Sequence, residues 1–326
     1  MPVDPNCDWV AFEDIVADYD PVRTRLCAPF EDPRTDERHD IDCRLEGLVA
    51  DSIPPPTDAL TVMTYNMERN IRNDAQVEAF ETGLLPMPDI ILASEVDRGC
   101  GRSDKINGGL AFAEALGLNY AFGVEFVELV GPETDTPCEH GQAIFSRYPL
   151  GNVNLFRHEP TGNDEWDRVE QPRVGTRVDL EADVLVGNRC VHVVSVHYDD
   201  ALEEEPARVN QAMATAARGL SHEGEDLVIG GDMNTAFYFA DLSPAAAQAP
   251  AARAFWDAGY VDTHASLDER ETVPFEVGGI VVSAVVDLLW VLDETRISNA
   301  QGCTREDCGE LSDHLPQWFT YTLPTQ

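Results

Sequence analysis

Positive charge is what this sequence has least of. Lysine occurs once, at Lys105, and 22 basic residues face 60 acidic ones, which gives a formal net charge of −38. Such a chain offers no basic stripe for the phosphates of duplex nucleic acid and repels polyanions at long range. An excess of carboxylates is typical of proteins adapted to high salt, where screening suppresses their mutual repulsion. The charge therefore predicts a halophilic protein but does not by itself indicate a function.

Long apolar runs are also absent. No stretch approaches the roughly 18 apolar residues that a membrane-spanning helix requires. Residues 1–30 are acidic and lack the basic start and apolar run of a secretion signal. The sequence therefore predicts a soluble protein without a membrane span, and it leaves extracellular and cytoplasmic locations both open.

The composition is otherwise ordinary for a globular fold, because the 326 residues are 43% apolar and 25% charged. That length suits one large α/β domain with an extension. Residues 1–58 are acidic, weakly periodic and rich in proline, and they end near the stiff linker Pro54-Pro55-Pro56. We therefore predict an N-terminal extension over 1–58 and a folded domain over 59–326.

Eight cysteines are present, at positions 7, 27, 43, 100, 138, 190, 303 and 308. Their spacing matches no zinc ribbon, and Cys303 with Cys308 is by itself a weak metal signal. Cys190 lies in an apolar run and is predicted to be a small buried hydrophobic residue. The others lie in polar segments, which leaves two alternatives open: several disulfide bonds in an oxidising compartment, or free thiols inside a cell.

Short apolar runs alternate with helical segments from Leu60 onwards. Strands are predicted at 60–66, 89–95, 119–129, 141–146, 174–180, 190–197, 226–231, 286–292 and 316–322. Helices are predicted at 73–83, 109–116, 205–219 and 243–258. Many strands with few helices between them predict packed β-sheets with helices outside, which is a layered α/β sandwich.

Polar side chains stand at or near the ends of several of these strands. They are Asn66, Glu95, His197, Asp232, Asn234, Asp313 and His314. Asp232 and Asn234 follow a buried strand that ends in two glycines, and from one turn they can offer a base and an amide to water or a phosphoryl oxygen. An Asx-turn that merely ends the strand explains the same pair.

Glu95 and His197 each close an apolar strand. A carboxylate in the position of Glu95 can bind a hard divalent cation such as Mg²⁺, and an ion pair with Arg98 or Arg102 is the structural alternative. His197 can act as a general acid for a leaving oxygen, although a histidine at a strand end is often only a hydrogen-bonded structural residue. Taken singly, neither residue identifies a function.

A further acid, Asp287, lies inside an apolar strand, where a carboxylate is costly unless it is paired, and His314 is the obvious partner. The order of these elements, with the segment Gly141–Leu150 between Glu95 and His197, resembles the endonuclease/exonuclease/phosphatase superfamily of DNase I-like metal-dependent phosphodiesterases. The resemblance spans residues 60–323. It implies a four-layered α/β sandwich, with two packed mixed β-sheets flanked by helices and the site at one end of the sheets.

The resemblance implies a metal site. Glu95 corresponds to the principal ligand of Mg²⁺ or Mn²⁺ in the family, and Asn66 and Asp313 are expected near the metal, directly or through water. Ser94 precedes Glu95 where many members carry glutamine, which is a small departure from the pattern.

The resemblance also implies catalytic roles. Asp232 is expected to orient or deprotonate the attacking water, and Asn234 to position that water or the phosphate. His314, held by Asp287, is expected to bind the phosphoryl oxygens. His197 is expected to protonate the leaving oxygen.

These roles predict a divalent-metal-dependent hydrolase that cleaves phosphodiester bonds by in-line attack of an activated water. A nuclease acting on DNA or RNA is favoured; a phosphoesterase for lipid head groups, sugar phosphates or other small esters is the alternative, and a non-catalytic binding module is a third.

Arg173 and Arg177 are predicted to face the substrate. The segment Phe237–Phe239 suits lipid contact, base stacking or packing under the site. No protein partner is predicted.

Overall fold

The computed structural model describes residues 7, 9–12, 30–32, 37–39, 45–132, 134–159, 171–200, 205–222, 224–235, 249–267, 270–277 and 280–324. Within these ranges the strands are β1 (Phe30–Asp32), β2 (Glu37–His39), β3 (Glu46–Leu48), β4 (Ala59–Asn66), β5 (Ile90–Arg98), β6 (Asn119–Glu128), β7 (Cys138–Ser146), β8 (Leu150–Arg157), β9 (Arg173–Gly175), β10 (Val178–Val186), β11 (Arg189–His197), β12 (Asp226–Asp232), β13 (Val261–Asp262), β14 (Val273–Val277), β15 (Ile280–Ala284), β16 (Asp287–Val291), β17 (Ile297–Gly302) and β18 (Gln317–Thr322). The α-helices are α1 (Asn73–Glu81), α2 (Gly108–Leu116), α3 (Glu205–Gly219), α4 (Pro250–Asp257) and α5 (Arg305–Cys308).

Two mixed sheets form the centre of the fold. One has the strand order β13-β16-β12-β11-β10-β8, and the other runs β17-β18-β4-β5-β7-β6-β3, with β9 paired to β6. The hairpins β1–β2 and β14–β15 form separate two-stranded sheets. Each large sheet contains one parallel pair, β4 with β5 and β11 with β12, while its other neighbouring strands are antiparallel.

Successive side chains of a strand point to opposite faces of its sheet, so the apolar residues of one strand belong to two different layers of the core. On β4, Leu60 and Val62 pack between the two sheets, whereas Met63 and Tyr65 pack on the side that holds α1 and α2. The outer face of the other sheet is covered by α3 and α4, with Phe255 fully buried among its side chains. The order of helices, sheet, sheet and helices confirms the predicted four-layered α/β sandwich.

Local signals at the helix ends account for the accuracy of the predicted helices. The side chain of Asn107 accepts a hydrogen bond from the backbone N–H of Leu110 at 3.2 Å and caps α2. Gly117 ends the same helix in the left-handed region, with φ of 64°. Helix α3 has the predicted bounds, and α4 begins at Pro250; the part of the predicted segment 243–258 before residue 249 lies outside the described residues.

The strands that sequence reasoning missed include two at sheet edges. β8 and β17 are edge strands of the two large sheets and have half-exposed faces, so they lack the continuous apolar run of a central strand. The predicted single strand 174–180 is instead two strands, β9 and β10, which lie in different sheets. The chain crosses between the sheets at Thr176 and Arg177, and local sequence carries no signal for such a crossing.

Two parts of the N-terminal segment, residues 10–12 and β3, lie against the sandwich. Phe12 packs in the core between the sheets, and β3 extends one sheet by pairing with β6. A disulfide bond joins Cys7 to Cys190, which is half-buried, so the prediction that Cys190 is a small buried hydrophobic residue was wrong. The prediction failed because its partner is 183 residues away in the sequence. The boundary proposed at residue 58 remains a prediction.

Two further disulfide bonds join Cys100 to Cys138 and Cys303 to Cys308, so the latter pair is a cross-link and not a metal site. Cys27 and Cys43 lie outside the described residues. In the part of the chain that the structure describes, no helix is long and apolar enough to cross a bilayer.

Candidate active site

The candidate site forms where the parallel strand pairs of the two sheets end. Asn66 is the last residue of β4, and Glu95 lies near the end of β5. In the other sheet, His197 ends β11 and Asp232 ends β12, and the two residues are register partners. Because parallel neighbours end at the same edge of a sheet, packing the two sheets face to face brings all four residues together.

The side-chain amide of Asn66 connects the two sheets. Its Nδ2 lies 3.1 Å from Glu95 Oε1 and 3.1 Å from Asp232 Oδ2, and 3.4 Å from His314 Nε2. Asn66 is fully buried, and its backbone carbonyl accepts a hydrogen bond from Ser312 Oγ at 2.7 Å. One neutral amide thus holds two carboxylates and the histidine-bearing loop in a fixed arrangement.

Asp232 lies at the centre of this arrangement. Its Oδ1 accepts the backbone N–H of Asn234 at 2.9 Å, which leaves Oδ2 near Asn66 and 3.7 Å from the Nε2 atoms of both His197 and His314. Burial raises the pKa of the Asp232 carboxyl, with a smaller opposing contribution from His314. A carboxylate with a raised pKa that faces two imidazoles has the properties of a general base.

The backbone before Asp232 needs glycine. Gly231 has φ of 148°, and a Cβ added there would lie 1.9 Å from the carbonyl oxygen of Val196 on the neighbouring strand. Only glycine allows β12 to run this close to β11 at the site. Asn234 follows in the left-handed region, with φ of 47°, and its Nδ2 donates to the carbonyl of Tyr198 at 3.0 Å.

His314 and Asp287 form the predicted pair. His314 Nδ1 lies 2.8 Å from Asp287 Oδ2, and Asp287 is only 1% exposed. Burial disfavours the charged imidazole, but the carboxylates of Asp287 and Asp232 prevail and raise the pKa of His314 well above its usual range. The site therefore presents the positive ring of His314 towards Asp232.

His197 has a carboxylate partner that sequence reasoning missed. Glu125, on β6, lies with Oε2 3.6 Å from His197 Nδ1, and its Oε1 accepts a hydrogen bond from Arg177 Nη1 at 2.6 Å. Burial raises the pKa of Glu125, but Arg177 and His197 outweigh it and lower the pKa to about 2. A signal was present, because Glu125 is an acid within an apolar strand, as Asp287 is.

The carboxylate of Glu95 is partly open to solvent. Its φ is 54°, and the pairing of β5 with β7 shifts register between Ala93 and Val96, so a bulge turns the side chain into the site. The side chain is 21% exposed, and Oε2 lies 3.6 Å from Arg69 Nε. Burial raises the pKa of Glu95, yet His197, His140 and Arg69 together hold it well below its usual range.

Asp313 is exposed and lies outside the hydrogen-bonded centre. Its backbone N–H donates to Glu68 Oε2 at 3.1 Å, and its side chain lines a pocket with Glu95. Partial burial of its carboxyl group raises the pKa of Asp313, with an opposing effect of His314. Glu68 and Arg69 line the same pocket, and neither was singled out from the sequence.

The arginines predicted to face substrate are both buried. Arg177 pairs with Glu125, lies 3.5 Å from Asp200 and also lies over the ring of Phe126. Arg173 is 3% exposed and stacks over the ring of Phe126, with 3.8 Å between guanidinium carbon and ring centroid. Within the described ranges, Nε and Nη2 of Arg173 have no hydrogen-bond partner.

The alternative partners of Glu95 are engaged elsewhere. Arg98 pairs with Glu139 and Glu46, and Arg102 pairs with Asp97. Single ligand atoms of Glu95, His197 and Asp232 lie within 4.8 Å of one another, as do those of Asp232, Asp287 and His314. The carboxylates of Glu95 and Asp313 line an open pocket and are of the kind that a hard divalent cation prefers, so these two residues fit such an ion. Asn66 directs Nδ2 and not Oδ1 towards Glu95, because Oδ1 accepts the backbone N–H of Glu68.

Solved structures with the same architecture support this description of the fold. An endonuclease/exonuclease/phosphatase family protein from Leptotrichia buccalis C-1013-b aligns with a TM-score of 0.57 and 16% identity, over 80% of this chain and 98% of that chain. TDP2 of D. rerio, in complex with a single strand DNA product, aligns with a TM-score of 0.54 and 14% identity, over 81% and 99%. The endonuclease/exonuclease/phosphatase from Beutenbergia cavernae DSM 12333 aligns with 0.53 and 18%, over 82% and 72%.

The fold is a DNase I-like sandwich, and the family match that follows indicates a phosphoester hydrolase. The family model described as the Endonuclease/Exonuclease/phosphatase family matches residues 63–274. The chain belongs to that family, which confirms the resemblance identified from the sequence. No curated protein matches the sequence.

Proposed function

We propose that the domain spanning 59–326 is a divalent-metal-dependent hydrolase that cleaves phosphodiester bonds with an activated water, and that its substrate is a nucleic acid. The observation that carries the proposal is the convergence of Asn66, Glu95, Asp232 and His314 from four distant parts of the chain. A structural Asx-turn accounts for Asp232 and Asn234 but not for the paired histidines around them. Retention of every acid and histidine also argues against a non-catalytic binding module.

Glu95, Asn66 and Asp313 are the residues that would hold Mg²⁺ or Mn²⁺. When bound, the cation would supply positive charge that stabilises the negative charge developing on the phosphoryl group. The proposal rests on the carboxylates of Glu95 and Asp313, both of which solvent reaches, and on Asn66, which holds Glu95 in place through Nδ2.

The reaction requires one proton to leave the attacking water and one to reach the leaving oxygen. Asp232 Oδ2 takes the proton of the water while the water oxygen forms its bond to phosphorus, and Asn234 positions the water or the phosphate. His314 donates its Nε2–H to a phosphoryl oxygen, with Asp287 holding the ring. His197 donates a proton to the leaving oxygen as its bond to phosphorus breaks, and Glu125, 3.6 Å from Nδ1, orients the ring.

Two observations favour a nuclease. The related fold of D. rerio TDP2 is seen with a single strand DNA product. In addition, Nε and Nη2 of Arg173, which lack an acceptor among the described residues, suit a phosphate of the substrate, since buried donors without an acceptor are costly. The net charge of −38 favours the alternative, a small phosphoester or a lipid head group, unless molar salt screens the repulsion.

The test is hydrolysis of plasmid, single-stranded DNA, RNA and bis-(p-nitrophenyl) phosphate at low and molar salt, with Mg²⁺, Mn²⁺ or EDTA. We expect metal-dependent cleavage that Glu95→Ala and His314→Ala abolish without a change in circular dichroism. Glu114→Ala, at an exposed acid of α2, is the matched control and should keep full activity. Metal-independent cleavage, or none of any ester, contradicts the mechanism, and cleavage restricted to small esters or lipid head groups supports the alternative.

A further inference from the structure

A buried glutamine of α1 connects two segments that carry residues of the candidate site. The first segment follows β4, which ends at Asn66. The second is the loop at 311–315 between α5 and β18, which contains Asp313 and His314. Gln76 contacts both segments from outside the site, so its contacts bear on how these residues are held.

The side-chain amide of Gln76 bridges the two segments. Its Nε2 lies 3.0 Å from the carbonyl oxygen of Met67 and 3.0 Å from the carbonyl oxygen of Leu311. A glutamine amide has two N–H donors, and these two contacts use both of them. Gln76 is fully buried and lies 235 positions before Leu311 in the sequence. One side chain thus joins two segments that are far apart along the chain.

The surroundings of Gln76 on α1 are apolar. The helix turns Asn73, Gln76, Ala79 and Phe80 towards the protein interior, and Ala79 and Phe80 pack in the core beside Met67. A polar side chain on such a face costs free energy unless it is hydrogen-bonded. Methionine or leucine would suit this position better, so the two hydrogen bonds are what the glutamine contributes.

A second link joins the same two segments. Ser312 Oγ donates to the carbonyl of Asn66 at 2.7 Å and accepts the backbone N–H of His314 at 3.1 Å. Ser312 and Gln76 therefore engage two successive carbonyls, those of Asn66 and Met67. Two attachments fix the orientation of the loop as well as its distance from β4. The Nε2 of His314 lies 3.4 Å from Asn66 Nδ2 across this junction.

We propose that Gln76 is a positioning residue for the hydrolytic reaction. Through Leu311 and Met67 it fixes the loop that carries His314 against the end of β4. The proposal rests on the hydrolase function above and adds the group that sets the distance between the two segments. A displacement of about 1 Å at a reacting group can cost about 100-fold in rate. The bridge therefore controls the rate without touching the substrate.

The decisive variant is Gln76→Met, which keeps the length of the side chain and removes both donors. We expect kcat for bis-(p-nitrophenyl) phosphate to fall by about 10- to 100-fold while KM stays within about two-fold, because contacts made only in the transition state are lost. The NMR signals of the His314 ring should also move, since the loop shifts relative to β4. A purely structural role would lower the melting temperature and leave both readouts of the folded protein unchanged.

Asn119→Leu is the matched control, because Asn119 is also a buried amide that bridges two backbone segments. Its Nδ2 donates to the carbonyl of Ser146 at 3.1 Å, and its Oδ1 accepts the N–H of Ala50 at 3.1 Å. It is the first residue of β6, six positions and about 20 Å along the strand from Glu125. The control should lose stability but keep the parental kcat, KM and His314 signals.

Two kinetic results would overturn the proposal. If kcat of Gln76→Met stays within about two-fold of the parent, the bridge does not control the reaction. If kcat falls equally in Gln76→Met and Asn119→Leu, the loss reflects general destabilisation and not the position of the loop. Gln76→Asn, whose amide is one methylene group too short to reach both carbonyls, repeats the test if the methionine variant does not fold.

The NMR arm separates this proposal from the proposed function. If the parent hydrolyses no ester, but Gln76→Met moves the ring signals of His314 and Asn119→Leu does not, the hydrolase function fails and the positioning of His314 stands. If those signals stay in place in Gln76→Met, the positioning role fails whether or not the parent is active. The ring of His158, whose Nε2 lies 2.9 Å from Asp179 on β10, provides the internal reference.

Discussion

Asp287 is the residue on which the charge of His314 depends, and Asp287→Asn tests that dependence. In the parent, His314 Nδ1 lies 2.8 Å from Asp287 Oδ2. Asparagine keeps the shape of the side chain and one oxygen acceptor for Nδ1 but removes the negative charge. A hydrogen bond between charged groups contributes about 1.5–3 kcal/mol. Losing that contribution lowers the pKa of His314 towards its usual range, because the Asp287 carboxylate is the main cause of its rise.

We expect the same energy to be lost from the transition state, where protonated His314 contacts the phosphoryl group. Hydrolysis of bis-(p-nitrophenyl) phosphate at neutral pH should therefore fall by about 10- to 100-fold or more. Activity of the parent should be bell-shaped in pH, because Asp232 must be ionised and its pKa is raised, while His314 must stay protonated. In Asp287→Asn the alkaline limb should move to lower pH.

The assay measures kcat and KM for bis-(p-nitrophenyl) phosphate between pH 5 and pH 9 in the parent and in Asp287→Asn. NMR titration of the His314 ring follows its protonation in both proteins. Asp183→Asn is the matched control, because Asp183 pairs with His192 Nδ1 at the same 2.8 Å. His192 precedes His197 by five positions on β11, which is about 16 Å along the strand. Unchanged rate and alkaline limb in Asp287→Asn would refute the reasoning, as would an equal loss in the control.

Three further predictions concern the metal, a cross-link and acid stability. Glu95→Gln should lose metal-dependent hydrolysis and bind Mg²⁺ more weakly in calorimetry, and parental affinity would contradict its role as ligand. Cys7→Ser should lower the free energy of unfolding by about 2–4 kcal/mol in urea without reductant, because Cys7–Cys190 closes a long loop; an unchanged urea midpoint would speak against that bond. Burial lowers the pKa of His264 to about 4, so below pH 6.5 the unfolded chain binds a proton that the native state excludes. The free energy of unfolding should then fall by up to about 3 kcal/mol between pH 6.5 and pH 4, and His264→Gln should show a shallower fall; parallel curves would contradict this.

The sequence by itself determined the fold class and the main polar residues of the site. The central strands are buried on both faces, so their apolar runs are long. The positions of these runs in the sequence were therefore enough to locate β4, β5, β11 and β12. A polar residue directly after such a run is expected at or near the end of its strand. That reasoning identified Asn66, Glu95, His197 and Asp232, and the structure brings them into contact.

Only the tertiary structure decided which partners these residues have. Glu125 is the partner of His197, and Cys7 that of Cys190, but neighbours far apart in the sequence leave no local signal. The two edge strands and the crossing of the chain between sheets at residues 176 and 177 were missed for the same reason, since pairing and not composition defines them. Glu68, Arg69 and Asn70 form a turn in the left-handed region, which is held by the contact of Asn70 with Asp97 of β5. The preferences of these residues do not predict that turn.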